Sequence, residues 1–397
     1  MSGLAALAVA YVFSQLYRSF LAVLTPQLTL ELGMSKAELS FAAGLWFITF
    51  AASQFAVGVG LDRFGPRRTA ASMFGLAGAG GAFLFAYAHS PLTLIVSMGL
   101  LGIGCAPILM ASLYIFAQRY PVTRFAIMSS WLVAFGNLGN VVGTSPMAEA
   151  ATRFGWRTVM LGLGFTNLLV ALAILQLVRD PVTTQRVSDG FRGFLRLLKI
   201  PYLWAIFPMI MLCYAPVAGI RGLWAGPYLT DLYNADSLTI GRITFWMAVA
   251  MIVGSVLYGP MDRWFNTRKW IVLTGGLVTL VAISSFVIVP QPPLPVATLL
   301  FILIGVSGVS YAVLMAHGRA FIPAELMGRG VTLLNFFSIF GAGLLQFISG
   351  SVVAARTDPS SPASYQLLFA TYAGLLFICL AIYMTSRDAK PDESVPL

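Results

Sequence analysis

Charge is scarce in this sequence. Asp, Glu, Lys and Arg make up 10% of its 397 residues, whereas a soluble domain carries roughly 25%. The composition is 58% hydrophobic, with a mean hydropathy of +0.86, so the chain is not written for an aqueous surface. Cysteine is also rare. Cys105, Cys213 and Cys379 each fall inside an apolar run, far apart in sequence, which argues against a disulfide framework and for small core residues. Long polar stretches are missing. A helix crossing a bilayer core of about 30 Å needs about 20 apolar residues, and twelve such helices use about 240. That leaves room for short loops but not for a soluble catalytic domain. No nucleophile motif, metal-ligand cluster or phosphate loop is present, so neither an enzyme nor a cofactor nor a metal is expected.

What is there is a series of apolar runs. They predict spans near 4–26, 38–61, 69–89, 92–117, 125–146, 158–178, 202–225, 241–261, 270–289, 295–318, 330–354 and 364–385, numbered here 1 to 12. The first run has no basic residues before it and ends on Thr25, Pro26 and Gln27, so it reads as a spanning helix, not a removable signal. Backbone groups in a bilayer must be satisfied within the protein, which requires a closed helical bundle. The expected fold is therefore an all-α membrane protein.

The basic residues are placed unevenly. Seventeen of the 24 Lys and Arg fall in even-numbered loops and the C-terminal tail, and five (Lys36, Arg153, Arg157, Arg242 and Arg356) in odd-numbered loops. The positive-inside rule then puts both termini in the cytoplasm of a bacterial inner-membrane, multi-pass protein. The net charge of +10 is a topology signal, and no nucleic-acid partner is expected. The segment 179–200 divides the chain into a bundle at 1–178 and another at 201–385, with a tail at 386–397. Within that linker, Phe191, Arg192, Phe194, Leu195 and Arg196 suit either an amphipathic helix on the membrane face or a solvated connection.

The two halves echo one another. Gly58-Val-Gly-Leu-Asp62-Arg63-Phe-Gly65-Pro-Arg67-Arg68 joins spans 2 and 3, and Tyr258-Gly-Pro-Met-Asp262-Arg263-Trp-Phe-Asn-Thr-Arg268-Lys269 joins spans 8 and 9. Aligning Asp62 with Asp262 and Arg68 with Arg268 leaves the second copy without a glycine, at Phe265. Internal repeats of this kind build secondary transporters that bind substrate near the midplane. The first segment resembles the G-x-x-x-D-R-x-G-R-R loop of the major facilitator superfamily, and Gly155-Trp156-Arg157 is similar to another signature of that family. The resemblance implies twelve transmembrane helices in two pseudo-symmetric six-helix bundles that rock around a central site. It also implies that Asp62 and Asp262 act as gating residues with Arg63, Arg68 and Arg263. Asp62 is expected near the start of span 11 at Arg329, and Asp262 near the start of span 5 at Arg124, because a carboxylate is favoured at a helix N-terminus.

None of the fourteen acidic residues falls in the middle of a predicted span, but two arginines lie within spans. Arg18 lies deep in span 1 and Arg221 in span 7. A charge in a span costs about 2.5–3.5 kcal/mol on insertion scales. Without an embedded carboxylate, the counterion expected is a bound anion, which guanidinium grips bidentately. A second reading stands beside this one for each: Arg18 makes a structural hydrogen bond to backbone carbonyls, and Arg221 lies near the periplasmic end of span 7 and snorkels outward. The pair, with Tyr17, Pro26, Leu32 and Gly33, resembles the organophosphate and organic-anion branch of the superfamily. Tyr17, Trp46, Tyr114, Asn137, Tyr214, Trp224, Tyr228, Tyr311 and Asn335 are the candidate cavity-lining groups. Gly136, Gly139 and Gly143 give span 5 a small-residue face. His317 reads either as a titrating group or as a packing residue. The expected function is secondary transport of a small organic anion by a monomer in the lipid bilayer, coupled to protons or a counter-anion. The alternatives are export of hydrophobic or cationic compounds and a non-transporting sensor.

Overall fold

The computed structural model describes residues 2–120, 122–180, 192–323 and 326–390, leaving out side chains at 2, 62, 117, 122–127, 130, 192–194, 327 and 328. Among the described residues every regular element is a helix. Ten helices are long and apolar enough to cross a membrane, and a pair bent by 54°, Gly3–Leu16 with Leu21–Leu32, makes an eleventh. The remaining expected span, number 5, is divided into helices Val122–Gly136, Leu138–Val142 and Ser145–Phe154. In the linker a short helix forms at Arg192–Leu198.

Helix starts follow local chemistry. Span 2 begins on a capping box in which Ser35 and Glu38 satisfy each other's backbone N–H groups. Spans 4 and 12 open on Ser90-Pro91 and Ser361-Pro362, a serine cap followed by a proline whose missing N–H costs nothing there.

Four spans read from sequence as continuous helices are interrupted, among them span 10, which breaks at Gly308–Ser310 between helices Leu294–Ser307 and Tyr311–Arg319. Span 1 breaks at Tyr17–Phe20, where the Ser19 hydroxyl bonds back to the Gln15 and Leu16 carbonyls at 3.3 and 3.1 Å and competes with the helical ladder. Span 5 breaks around Asn137 and Gly143-Thr144. Span 7 covers Pro201–Tyr233, well past its expected end at 225. Pro208 and Pro216 restart it in short helices, and a π-helical turn occupies Ile220–Trp224. This longer span places Asp231 inside its last turn, bonded by the Tyr365 hydroxyl at 2.6 Å. One carboxylate therefore sits within a helix that the sequence reading had ended earlier.

The chain forms two compact units. The first gathers spans 1 to 6 with Gly222–Thr230 and Asn234–Phe245; the second gathers the rest of the second half. In the first unit, span 1 lies against glycine on two sides. A Cβ on Gly139 would fall 1.9 Å from the Val12 carbonyl oxygen, and one on Gly136 would fall 2.1 Å from the Tyr11 ring. From span 7, a Cβ on Gly222 would fall 2.7 Å from the Arg18 carbonyl oxygen, and one on Gly226 would fall 2.3 Å from that of Ala22. At the start of span 6 Arg157 bonds the Glu31 carboxylate and, at 3.3 Å, the Ala88 carbonyl, with its guanidinium 4.1 Å over Trp156. In the second unit, spans 8 and 10 meet where a Cβ on Gly254 would be 2.3 Å from the Val306 carbonyl. Between spans 9 and 12, Phe286 stacks on Phe369 at 4.6 Å.

These approaches predict a test. Gly139→Ala is expected to lower stability by about 1–3 kcal/mol, the usual cost of overpacking, and thermal unfolding in detergent reads it. Gly162→Ala, whose Cβ meets nothing within 4 Å, is expected to leave the midpoint unchanged or raise it slightly.

Candidate functional site

The break in span 1 sets Arg18. Backbone N–H groups of Arg18 and Ser19 reach back only three residues, to Gln15 and Leu16, and the helix resumes at Leu21 in a new direction. The Arg18 side chain is half-buried, with its guanidinium carbon 5.1 Å from the Trp46 ring and 5.0 Å from the Phe50 ring. Those two rings stack on each other at 5.2 Å, one turn apart on span 2. Cation–π contact of this kind is worth most where water is scarce. Among the described residues Arg18 makes no ion pair, and its Nε is buried with no hydrogen-bond partner. The Trp46 indole N–H is likewise buried without a partner. Two donors are thus left open on one aromatic platform, where an unsatisfied buried polar group carries a cost of its own.

The other expected residues divide between the units. In the first, Tyr17 is enclosed and accepts a bond from Asn167 Nδ2 at 3.1 Å, while Asn167 Oδ1 has no partner. Asn140 Nδ2 donates to Asn137 Oδ1 at 3.2 Å. Trp224 and Tyr228 are fully enclosed, and Tyr114 is half-buried on span 4. In the second, Tyr214 is half-buried and the Tyr311 hydroxyl donates to Asn335 Oδ1 at 2.8 Å. Arg221 is 0% exposed and lies in the π-helical turn, so it does not snorkel outward. Its span runs twelve residues past it to Tyr233, placing it mid-helix. π-Turns are frequent at functional positions.

At the basic ends, Asp262 pairs with Arg268 at 3.4 Å, while Arg63, Arg68 and Arg263 are exposed and Arg329 is half-buried. The side chains of Asp62 and Arg124 lie outside the described residues, and so do their expected contacts. Both copies of the loop hold a residue at positive φ, one position apart in the alignment. Gly65 has φ +81 and Asn266 has φ +47, so the second copy keeps the left-handed residue at Asn266, not at Phe265. Asparagine tolerates that conformation. His317 is enclosed between the Tyr383 hydroxyl at 2.6 Å and the Arg387 carbonyl at 2.9 Å, which gives it a bonding role in the helix ends. Sequence reading missed Phe50, one turn beyond Trp46. It also missed Asn167, Asp180 and Asp388, although the Arg-Asp pair that ends both halves was a visible signal for the last two.

The model of the Major Facilitator Superfamily matches residues 7–223. The chain belongs to this superfamily of membrane transporters. The transporter is 22% identical over 295 residues to the probable sulfoacetate transporter SauU of Cupriavidus necator, covering 69% of this chain and 68% of that one. It is 22% identical to the probable L-galactonate transporter of Escherichia coli K12, covering 96% and 89%. It is 21% identical to the membrane sensor protein UhpC of the same organism, covering 90% and 86%. The fold matches solved structures of a bacterial homolog of the human lysosomal transporter Spinster (TM-score 0.78, 18% identity, 96% of both chains) and of a D-xylose-proton symporter (TM-score 0.79, 14% identity, 99% of both chains). The helical major facilitator fold is thereby established for this multi-pass membrane protein.

One titration follows from the loop geometry. Burial works against the Asp388 charge, but the Thr267 hydroxyl and the backbone N–H groups of Lys269 and Arg268 outweigh it and hold the carboxyl below its ordinary value. A depressed carboxylate stabilises above its unfolded pKa and loses that contribution as pH falls through the folded value. Amide exchange at residues 268 and 269, corrected for intrinsic rate, is expected to stay slow from neutral pH down and to rise only below about pH 4.

Proposed function

We propose that this transporter moves small organic anions across the bacterial inner membrane by alternating access, with both termini in the cytoplasm. The observation that carries the reading is Arg18, a guanidinium inside a span, backed by two aromatic rings and, among the described residues, without a carboxylate partner. Such a charge is costly in a bilayer and is relieved by an anion that accepts two parallel hydrogen bonds. Arg221 is the second anchoring charge in this reading. In this reading Tyr17, Trp46, Tyr114, Asn137, Tyr214, Trp224, Tyr228, Tyr311 and Asn335 are the further substrate-binding groups, and Asp62, Arg63, Arg68, Asp262, Arg263, Arg124 and Arg329 are the gating residues. The relatives whose names specify sulfoacetate and L-galactonate support a small anion bearing a sulfonate or carboxylate group. Because guanidinium does not lose its proton at physiological pH, Arg18 keeps its positive charge through the cycle; in exchange a counter-anion occupies it on the return step, and in symport a proton crosses with the anion and offsets the anion's charge.

A thermal-shift panel of sulfoacetate, L-galactonate, phosphate, neutral sugars and organic cations on the purified protein tests this. An anion is expected to raise the unfolding midpoint of wild type, and Arg18→Ala to abolish the shift. Arg18→Lys is expected to weaken binding by about tenfold or more, since ammonium lacks the planar fork. Equal stabilisation of wild type and Arg18→Ala by neutral or cationic compounds would sink the anion reading in favour of an exporter. The similarity to a membrane sensor supports a second reading, a receptor of this fold. Anion binding without counterflow in proteoliposomes would select it.

A further inference from the structure

Both halves end on the same dipeptide, Arg179-Asp180 after span 6 and Arg387-Asp388 after span 12. The two pairs make equivalent contacts. Asp180 Oδ1 accepts the backbone N–H of Arg67 at 2.8 Å, at the start of span 3. The Arg179 carbonyl accepts Arg119 Nη2 at 2.6 Å, from the end of span 4. In the second half, Asp388 accepts the N–H groups of Arg268 and Lys269 at 3.2 and 3.0 Å and the Thr267 hydroxyl at 2.5 Å, at the start of span 9. The Arg387 carbonyl is bonded by His317 Nε2 at 2.9 Å, from the end of span 10. One residue pair therefore ties the closing helix of each half to two others of the same half.

The loop turns are built around these carboxylates. The space a Cβ on Gly65 would need is filled by the Asp180 carboxyl carbon at 2.7 Å, so the glycine of the D-R-F-G turn admits Asp180 as well as the left-handed φ. In the second copy the tie is heavier. Lys269 Nζ donates to the Met384 and Ser386 carbonyls at 2.6 and 2.8 Å, and Arg268 Nη1 to that of Ala389 at 3.4 Å. Arg268 also pairs with Asp262 through Nε, so the acid of the loop is held by a residue that Asp388 positions.

We propose that Asp180 and Asp388 are positioning residues for the transport cycle. Each clasps the gate loop of its half (62–68 or 262–268) to the end of span 6 or 12, so that loop and bundle move as one piece. The proposal rests on the alternating-access reading for its consequence, though not for its geometry. It also orders the two copies. The second clasp binds its own loop's Arg268 and Lys269 into the bundle, whereas Arg63 and Arg68 of the first remain exposed.

The test uses the full chain in proteoliposomes, with Ala and Asn variants at each position. Asn keeps an acceptor for the backbone N–H groups and Ala does not. Spin labels at Phe64→Cys and Leu177→Cys report the first clasp, and labels at Phe265→Cys and Met384→Cys report the second. All four sites are exposed and the native cysteines are buried. Narrow label-to-label distances are expected in wild type and in Asp180→Asn or Asp388→Asn, and broad ones in the Ala variants. Sulfoacetate counterflow in the Ala variants is expected to fall about tenfold, the scale of a lost helix cap, with the midpoint of its concentration dependence unchanged and with recovery in the Asn variants. Distances as narrow in Ala as in wild type would overturn the clasp. So would broadened distances with wild-type counterflow, or an equal loss in the Asn and Ala variants. If wild type shows no counterflow of any anion, the transport reading falls, and the label distances still decide the clasp.

Discussion

The close approach of span 1 to its neighbours is the constraint on which the first unit depends. Glycines of span 5 lie against its first half and glycines of span 7 against its second, each within a distance that no side chain could share. Without a Cβ in the way, carbonyl oxygens of span 1 meet neighbouring Cα atoms, a contact common where membrane helices pack backbone to backbone. That packing holds an interrupted helix inside the bundle. Non-helical backbone is tolerated in a bilayer only where protein or a cavity surrounds it, and Tyr17–Phe20 meets that condition. Arg18 stands in the interruption, which is why its side chain leaves the helix against Trp46 and Phe50 and not along the helix surface.

Charge is handled in two ways in this molecule. At the basic ends of the helices, arginines, lysines and aspartates satisfy backbone groups that helix termini leave open, as Asp388, Lys269 and Arg119 do. Arg157 does the same at the opposite rim, joining the ends of spans 1 and 3 at the start of span 6. Arg18 is different. Its contacts are aromatic faces, which attract a cation without neutralising it, so the charge stays available to a ligand. This contrast, more than the presence of an arginine in a span, separates a structural guanidinium from a binding one.

Span number, the repeated loop and the two embedded arginines were legible because each depends on local composition. Apolar length sets a crossing, and a charge inside such a run is conspicuous. The breaks in spans 1 and 5 were not legible, since a serine or an asparagine in an apolar run is compatible with an unbroken helix, and only the folded chain shows the Ser19 hydroxyl turned back on the Gln15 and Leu16 carbonyls. The left-handed turn of the second loop at Asn266 was not legible, because aligning the copies on their Asp-Arg pairs sets Phe265, and not Asn266, opposite Gly65. Asp180 and Asp388 passed unnoticed for a related reason. An acid after a helix is ordinary until the start of another helix is found against it.

The sequence by itself determined that the chain is a bundle of membrane-crossing helices in two related halves, because hydrophobic length and charge placement act residue by residue. Only the tertiary structure decided that Arg18 lies on an aromatic platform at a helix break, that Arg221 is enclosed in a π-turn, and that an Arg-Asp pair closes each half. Those outcomes depend on which helices meet, and meeting is governed by glycine contacts and hydrogen bonds between residues far apart in the chain.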